Sequence, residues 1–269
     1  RKHERSLLTD DNQLKEEALR QTELRFKLWA LVMAGVGMAV LLLALLHRRM
    51  KAMQKALHNV NERLKIQSEQ DPLTGLANRR HFQRLMTQGE DAGGTLYLLD
   101  LDHFKRINDN FGHAGGDAVL IEVARRLQAV LREEDVVVRW GGEEFMILVP
   151  GEGGEPAELL AQRLLTALAS LPVVVGPDRV AVTASIGFGS FPLQPQQLDV
   201  PWSMAIDLVD AAMYIAKTQG RNRAVGIRRM TATDLDMVAR QMQDLEAVWR
   251  RDEAHLVEIH GPDVVGQTR

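Results

Sequence analysis

An α/β sandwich carried behind a long helical arm is the fold this chain predicts, on three observations. Between residues 72 and 226, strand-length apolar runs alternate with helix-patterned segments. Ahead of them, Leu28 to Leu46 holds nineteen residues without a charge. Between the two, Met50, Met53, Leu57, Val60 and Leu64 recur at spacings of 3, 4, 3 and 4.

Residues 1–27 are charged and helix-prone, with no sustained heptad among their leucines. Because residue 1 is Arg, the chain is expected to be a fragment or a processed form. The apolar run 28–46 follows, and at ~1.5 Å per residue it nearly spans a hydrocarbon core of about 30 Å. Its flank His47-Arg48-Arg49-Met50-Lys51 is basic, which places the C-terminal side in the cytoplasm. A polar segment precedes the run and no small-residue cleavage site follows it, so a single membrane span is expected rather than a signal peptide. The seam over 47–70 then predicts a short parallel coiled coil in a homodimer; the alternative is one amphipathic helix, since two heptads are marginal alone. Asp71-Pro72 ends that helix, because the residue before proline is pushed out of the α region.

In the block that follows, helices are expected at 78–88, 103–111, 116–132, 155–170 and 203–219. Strands are expected at 95–101, 136–140, 144–149, 180–190 and 223–227. Residues 230–269 read as a polar C-terminal tail, with helical periodicity in Leu235, Val238, Met242, Leu245 and Val248 but no chemistry. The 269 residues suffice for one domain of ordinary size plus accessory segments. A net charge of −3 offers no nucleic-acid-binding surface, and the lack of cysteine excludes thiol catalysis, disulfides and zinc–thiolate sites.

Chemistry is concentrated at Val138-Arg139-Trp140-Gly141-Gly142-Glu143-Glu144-Phe145. Two glycines between strand-like runs fit a tight hairpin, and two carboxylates at its tip crowd negative charge that a bound cation relieves. A solvated hairpin with acidic decoration is the alternative. Against it stands a second acidic cluster, Asp100-Leu101-Asp102, at the end of the strand pattern 95–101. Carboxylates converging from a strand end and a hairpin are a common way to hold Mg²⁺ for nucleotide chemistry. Asp102 fits a cap for the helix that follows, where Phe104, Lys105 and Arg106 open a positive helix N-terminus suited to phosphate. Taken alone, Asp117 is equally a helix-start residue, Lys217 a surface lysine, and Arg132-Glu133-Glu134-Asp135 free surface charge.

Gly141 to Phe145 resembles the signature of the GGDEF family, the diguanylate cyclases, in a Glu-for-Asp variant. The resemblance runs from Asp71-Pro72-Leu73-Thr74-Gly75-Leu76-Ala77-Asn78-Arg79 to Lys217-Thr218-Gln219-Gly220-Arg221-Asn222. It implies a palm-like core, as in nucleotide cyclases and polymerases, over residues 71–229. It implies GTP as substrate, cyclic di-GMP as product and inhibitor, and Mg²⁺ as cofactor, with Mn²⁺ as a substitute. It also implies a homodimer anchored in the bacterial inner membrane, with residues 1–27 ending an upstream sensory region and the catalytic domain in the cytoplasm.

The resemblance also assigns roles. Asp100, the Leu101 carbonyl, Glu143 and Glu144 become metal ligands, and Glu143 the candidate proton acceptor for a 3′-hydroxyl. Asn108 and Asp117 become guanine readers, with His113 between them. Phe104, Lys105, Lys217 and Arg221 face phosphate. Arg132 and Asp135 match the Arg-x-x-Asp site for inhibitory product. A non-catalytic cyclic di-GMP receptor or scaffold is the alternative, but such relatives usually carry a damaged hairpin signature, and this one is intact.

Overall fold

A computed structural model describes the backbone over residues 2–88, 93–151 and 155–263, with side chains described from residue 20 onward except 56–67. The chain divides into two compact units, Arg1–Lys65 and Ile66–Arg269. The first lies within one helix, α1 (Lys2–Glu69). Its stretch Arg20–Lys55 contains an 18-residue window of mean hydropathy 2.5, none of it buried, and is long and apolar enough to cross a membrane. Met50 and Met53 of the expected seam are exposed, whereas the side chains of Leu57, Val60 and Leu64 lie outside the described residues.

The second unit runs β1 (Ala77–Asn78), α2 (Arg79–Gln88), β2 (Gly94–Leu101), α3 (Phe104–Val130), β3 (Val136–Gly141) and β4 (Glu144–Pro150). It continues with α4 (Ala157–Ala169), β5 (Val173–Val175), β6 (Asp178–Val180), β7 (Ala184–Phe191), α5 (Trp202–Thr218) and β8 (Arg223–Met230). It closes with α6 (Leu235–Met242), α7 (Leu245–Arg250) and β9 (Ala254–His260). One sheet has the order β1-β3-β4-β2-β7-β8-β9, and β5 and β6 form a separate hairpin.

Strand β2 shows why the layers form. It lies between β4 and β7, antiparallel to both, so its backbone is paired on both sides. Alternate side chains leave a strand on opposite faces. Tyr97, Leu99 and Leu101 enter one buried cluster with Val119, Val123 and Leu127 of α3 and Leu164 of α4. Leu96 and Leu98 enter a second with Leu208, Ala212 and Met213 of α5. A strand apolar on both faces requires helices on both, and this is the sandwich the alternating pattern predicts.

The helices expected at 103–111 and 116–132 both form, and within α3 they meet at a kink at Gly112, whose φ of 69° and ψ of 173° are not helical. Two other expectations are corrected. The strand expected at 180–190 is two: Val180 closes the β5–β6 hairpin, and the sheet strand starts at Ala184. Within the expected tail, the described residues 230–263 are not polar chain without structure. They place Val238, Leu245, Val248, Ala254 and Leu256 in the second cluster and add β9 antiparallel to β8, so the domain does not stop at 229.

Helix α5 sits hard against β7 because Gly187 has no side chain. A Cβ there would lie 1.9 Å from the Val209 carbonyl oxygen and 2.4 Å from the Met213 nitrogen, both backbone atoms. Gly187→Ala must therefore lift the helix, at a cost of about 3 kcal/mol. Gly189→Ala, whose Cβ meets nothing nearer than the Phe191 ring at 3.5 Å, should cost less than about 1 kcal/mol. Denaturant unfolding of the two variants measures the difference, and equal costs would contradict this packing.

Candidate active site

The acidic hairpin is built by β3, β4 and the turn between them. A register shift between Arg139 and Gly141 kinks the strand as it enters the turn. Gly142 then takes a positive φ of 41°, a conformation that favours glycine. The turn is clamped from behind: the Arg139 guanidinium donates to the Gly142 carbonyl at 2.8 and 3.1 Å and to the Asp71 carboxylate at 3.0 and 3.2 Å. Asp71 also accepts from the Thr74 backbone N–H at 2.9 Å and hydroxyl at 2.7 Å. Burial opposes its charge, but the bonds from Thr74 and Arg139 outweigh it and hold the carboxyl below its usual range.

The hairpin delivers its carboxylates to the end of β2. Asp100 is the register partner of Glu144 across the β2–β4 ladder, and the Leu101 N–H donates to the Glu143 carbonyl at 3.3 Å. Lys217, in the last turn of α5, places Nζ 2.8 Å from Asp100 Oδ2. Burial, and then the neighbouring Asp100, push the carboxyls of Glu143 and Glu144 up, while the Lys217 ammonium pulls the other way. Asp210 on α5 is also raised, chiefly by burial. A cavity of about 450 Å³ opens beside this cluster, lined by Glu144, Asp210, Tyr214 and Lys217 and walled by Met242 and Leu245 of the C-terminal helices.

Asp100, Glu143, Glu144 and Lys217 are thus brought together. Among the described residues, no group of three carboxylates or imidazoles stands in metal-ligating geometry. The donor set nevertheless fits a hard cation, being oxygen only, with the carboxyls of Glu143 and Glu144 raised by burial and then by Asp100, and already drawing an ammonium onto Asp100.

Asp102 is not the helix cap the sequence suggests. The N-cap is His103, with φ 58° and no side-chain capping bond. Asp102 is buried and accepts from the hydroxyls of Thr183 and Ser185, both at 2.7 Å, and from the Asn222 backbone N–H at 3.0 Å. Phe104 is buried in the core, leaving only its backbone at the start of α3 for a ligand, while Lys105 is exposed. Asn108 is half-buried with its side chain across Gly116, where a Cβ would lie 2.0 Å from its Oδ1; His113 and Asp117 are exposed nearby on α3. Arg221 is exposed in the loop after α5.

Arg132 and Asp135 form a closed turn at the other end of β3 from the hairpin. The Arg132 N–H donates to Asp135 Oδ2 at 2.8 Å and the Asp135 N–H to the Arg132 carbonyl at 3.2 Å. The Arg132 guanidinium is exposed, 4.0 Å from Glu134, and Asp135 Oδ1 is buried without a partner. Sequence reasoning missed Arg139 and Asp210. The signal for Arg139 is a lone guanidinium at the end of the apolar run Val136-Val137-Val138.

Comparisons with known proteins converge. A family model described as diguanylate cyclase, GGDEF domain, matches residues 68–223. The diguanylate cyclase DgcP of Pseudomonas aeruginosa is 38% identical over 175 residues, which is 63% of this chain; the chain spans only 25% of that protein's length. The crystal structure of diguanylate cyclase SiaD from Pseudomonas aeruginosa, in complex with its activator SiaC, aligns at a TM-score of 0.60 with 31% identity, covering 82% of this chain and 85% of SiaD. That of the coiled coil and GGDEF domain of DgcB from Caulobacter crescentus, in complex with c-di-GMP, aligns at 0.57 with 28% identity, covering 65% of this chain and 94% of DgcB.

The electrostatics have a measurable consequence. Glu143 and Glu144, with pKa values raised on folding, bind protons more readily in the folded chain than in the unfolded one. They therefore favour folding at low pH, and that contribution is lost as pH rises through their folded values. Lys217→Met removes the ammonium that offsets them, so the deficit in Tm relative to wild type should be larger at pH 8 than at pH 5. A deficit that does not change with pH would show that Lys217 does not balance these carboxylates.

Proposed function

The chain belongs to the GGDEF-domain diguanylate cyclase family, and on that premise we propose that it condenses two GTP into cyclic di-GMP and two pyrophosphates. The observation that carries the reading is the intact hairpin with Glu144 opposite Asp100 and Lys217 against the same carboxylate. Asp100, the Leu101 carbonyl, Glu143 and Glu144 would hold Mg²⁺ or Mn²⁺. When bound, the cation supplies charge to the triphosphate and acidifies the attacking 3′-hydroxyl. The remaining work belongs to the chain. Lys105, Lys217, Arg221 and the open N-terminus of α3 bind phosphate oxygens. Asn108 and Asp117 read guanine, with His113 beside them; an Asp117 carboxylate accepts from N1–H and the exocyclic amine, donors that adenine does not present together.

Two such half-sites face each other in a homodimer. Each 3′-oxygen forms an ester bond to the α-phosphorus of the opposite GTP, the bond from that phosphorus to the bridging oxygen of the β-phosphate breaks, and pyrophosphate leaves. Glu143 is the candidate acceptor for the 3′-hydroxyl proton. Because catalysis is mostly positioning and charge stabilisation, alignment of two domains by paired membrane-proximal helices is enough to control rate. The apolar stretch Arg20–Lys55 supports anchoring in the inner membrane with the catalytic unit in the cytoplasm.

Purified full chain with Mg²⁺ should convert GTP to a product with the mass of cyclic di-GMP and leave ATP unchanged. Glu143→Gln should lower the rate by at least about 100-fold with an unchanged circular dichroism spectrum. Product formation within threefold of wild type would reject the role of Glu143.

The Arg132–Asp135 turn, set apart from the acidic cluster, supports feedback by bound product through a population shift. With Arg132→Ala the initial rate should hold, and time courses should stay linear while wild type slows as cyclic di-GMP accumulates. Equal slowing in both would locate inhibition elsewhere.

A further inference from the structure

Loop 220–222, between α5 and β8, has a backbone that is unfavourable by itself. Gly220, Arg221 and Asn222 take successive φ values of 123°, 63° and 45°. Glycine accepts such angles and asparagine tolerates them, but arginine does so rarely, and conformations of this kind persist only where the surroundings over-determine them. Two of the restraints are local to the core: the Arg221 N–H donates to the Ala216 carbonyl at 3.0 Å, and the Asn222 N–H to buried Asp102.

The others come from the end of the chain. Leaving β9, Gly261 donates its N–H to the Asn222 carbonyl at 2.8 Å, and Asn222 Nδ2 donates to the Pro262 carbonyl at 2.9 Å. Glu258 on β9 pairs with the Arg223 guanidinium, whose Nε donates to the Arg221 carbonyl at 3.1 Å. Gly261 is fitted to this contact: a Cβ there would lie 2.1 Å from Asn222 Oδ1. None of these C-terminal residues falls within the segment 68–223 that the family model matches.

We propose that β9 and the turn Gly261-Pro262 are a latch that positions Arg221 for the GTP phosphates. The proposal rests on the phosphate-binding role given to Arg221 above. The latch residues touch no substrate; Glu258, Gly261 and Pro262 act through Arg223 and Asn222 on the backbone that carries the Arg221 guanidinium. A loosened latch therefore weakens ground-state binding of nucleotide more than it slows the chemical step.

The test uses the full chain with Gly261→Val, which drives Asn222 out of place, and separately with Glu258→Gln, which removes the ion pair without changing volume. Each should raise the KM for GTP about tenfold with kcat within twofold, and should speed amide exchange in peptides covering residues 219–224. Arg221→Ala should raise KM in the wild-type background but add little to Gly261→Val, because both act on one contact. Unchanged exchange in both variants, unchanged KM, or a full additive effect of Arg221→Ala would overturn the latch. A wild-type KM in Arg221→Ala itself would instead overturn the phosphate role of Arg221, and with it the function assigned to the latch.

Discussion

One buried carboxylate organises the site without facing it. Asp102 is only 6% exposed, and a charge in that position is tolerable only if it is fully hydrogen-bonded. Its three donors come from Thr183 just ahead of β7, from Ser185 within β7, and from the backbone of Asn222 ahead of β8. It therefore ties the end of β2 to the next two strands of the sheet. Asp100 lies two residues before this knot and Arg221 one residue before its third donor. Asp100 and Arg221, for which we propose metal and phosphate roles, are held relative to one another by a side chain to which neither role is given.

The hairpin has an anchor of its own, and it leads back to the helix. Asp71 stands two residues beyond the end of α1 and holds Arg139, which in turn holds the Gly142 carbonyl at the turn. Glu69, the last residue of α1, meets Arg84 at 2.7 Å and His81 at 3.1 Å on α2. Those bonds hold its carboxyl below its usual range. The end of α1 is thus held to the domain by two separate sets of charge-assisted bonds, Glu69 to α2 and Asp71 to Arg139, and the second finishes at Gly142, beside Glu143.

The sequence disclosed most of what is local. The strand ends, the glycine turn and its carboxylates, and the helix after β2 are all set by residues within a few positions of one another. Asp102 was misread because aspartate before a helix is an ordinary cap, and the partners that claim it lie 81, 83 and 120 residues away. The C-terminal helices were visible in their periodicity, but β9 was not. Its run Leu256-Val257-Glu258-Ile259 is flanked by His255 and His260, and a strand with one free edge carries enough polar residues to look like solvated chain. The break at Gly112 was legible, since the two helical patterns leave a gap that holds this glycine, which takes a positive φ.

The place of β9 also bears on how the catalytic unit can be cut. The family-matched segment ends at Arg223, the first residue of β8. A chain trimmed there would lose two strands, and β7, still paired with β2, would become a border over Ser185 to Gly189, the stretch that β8 now covers. Seven of its eight positions are buried in the intact sheet, so that border would expose residues now shielded from water. Such a fragment invites edge-to-edge pairing with its own copies. In the complete domain the two outer strands are β1, only two residues long, and β9, which presents Glu258 and two histidines. The residues beyond the signature serve, among other things, as a guard against self-templated aggregation.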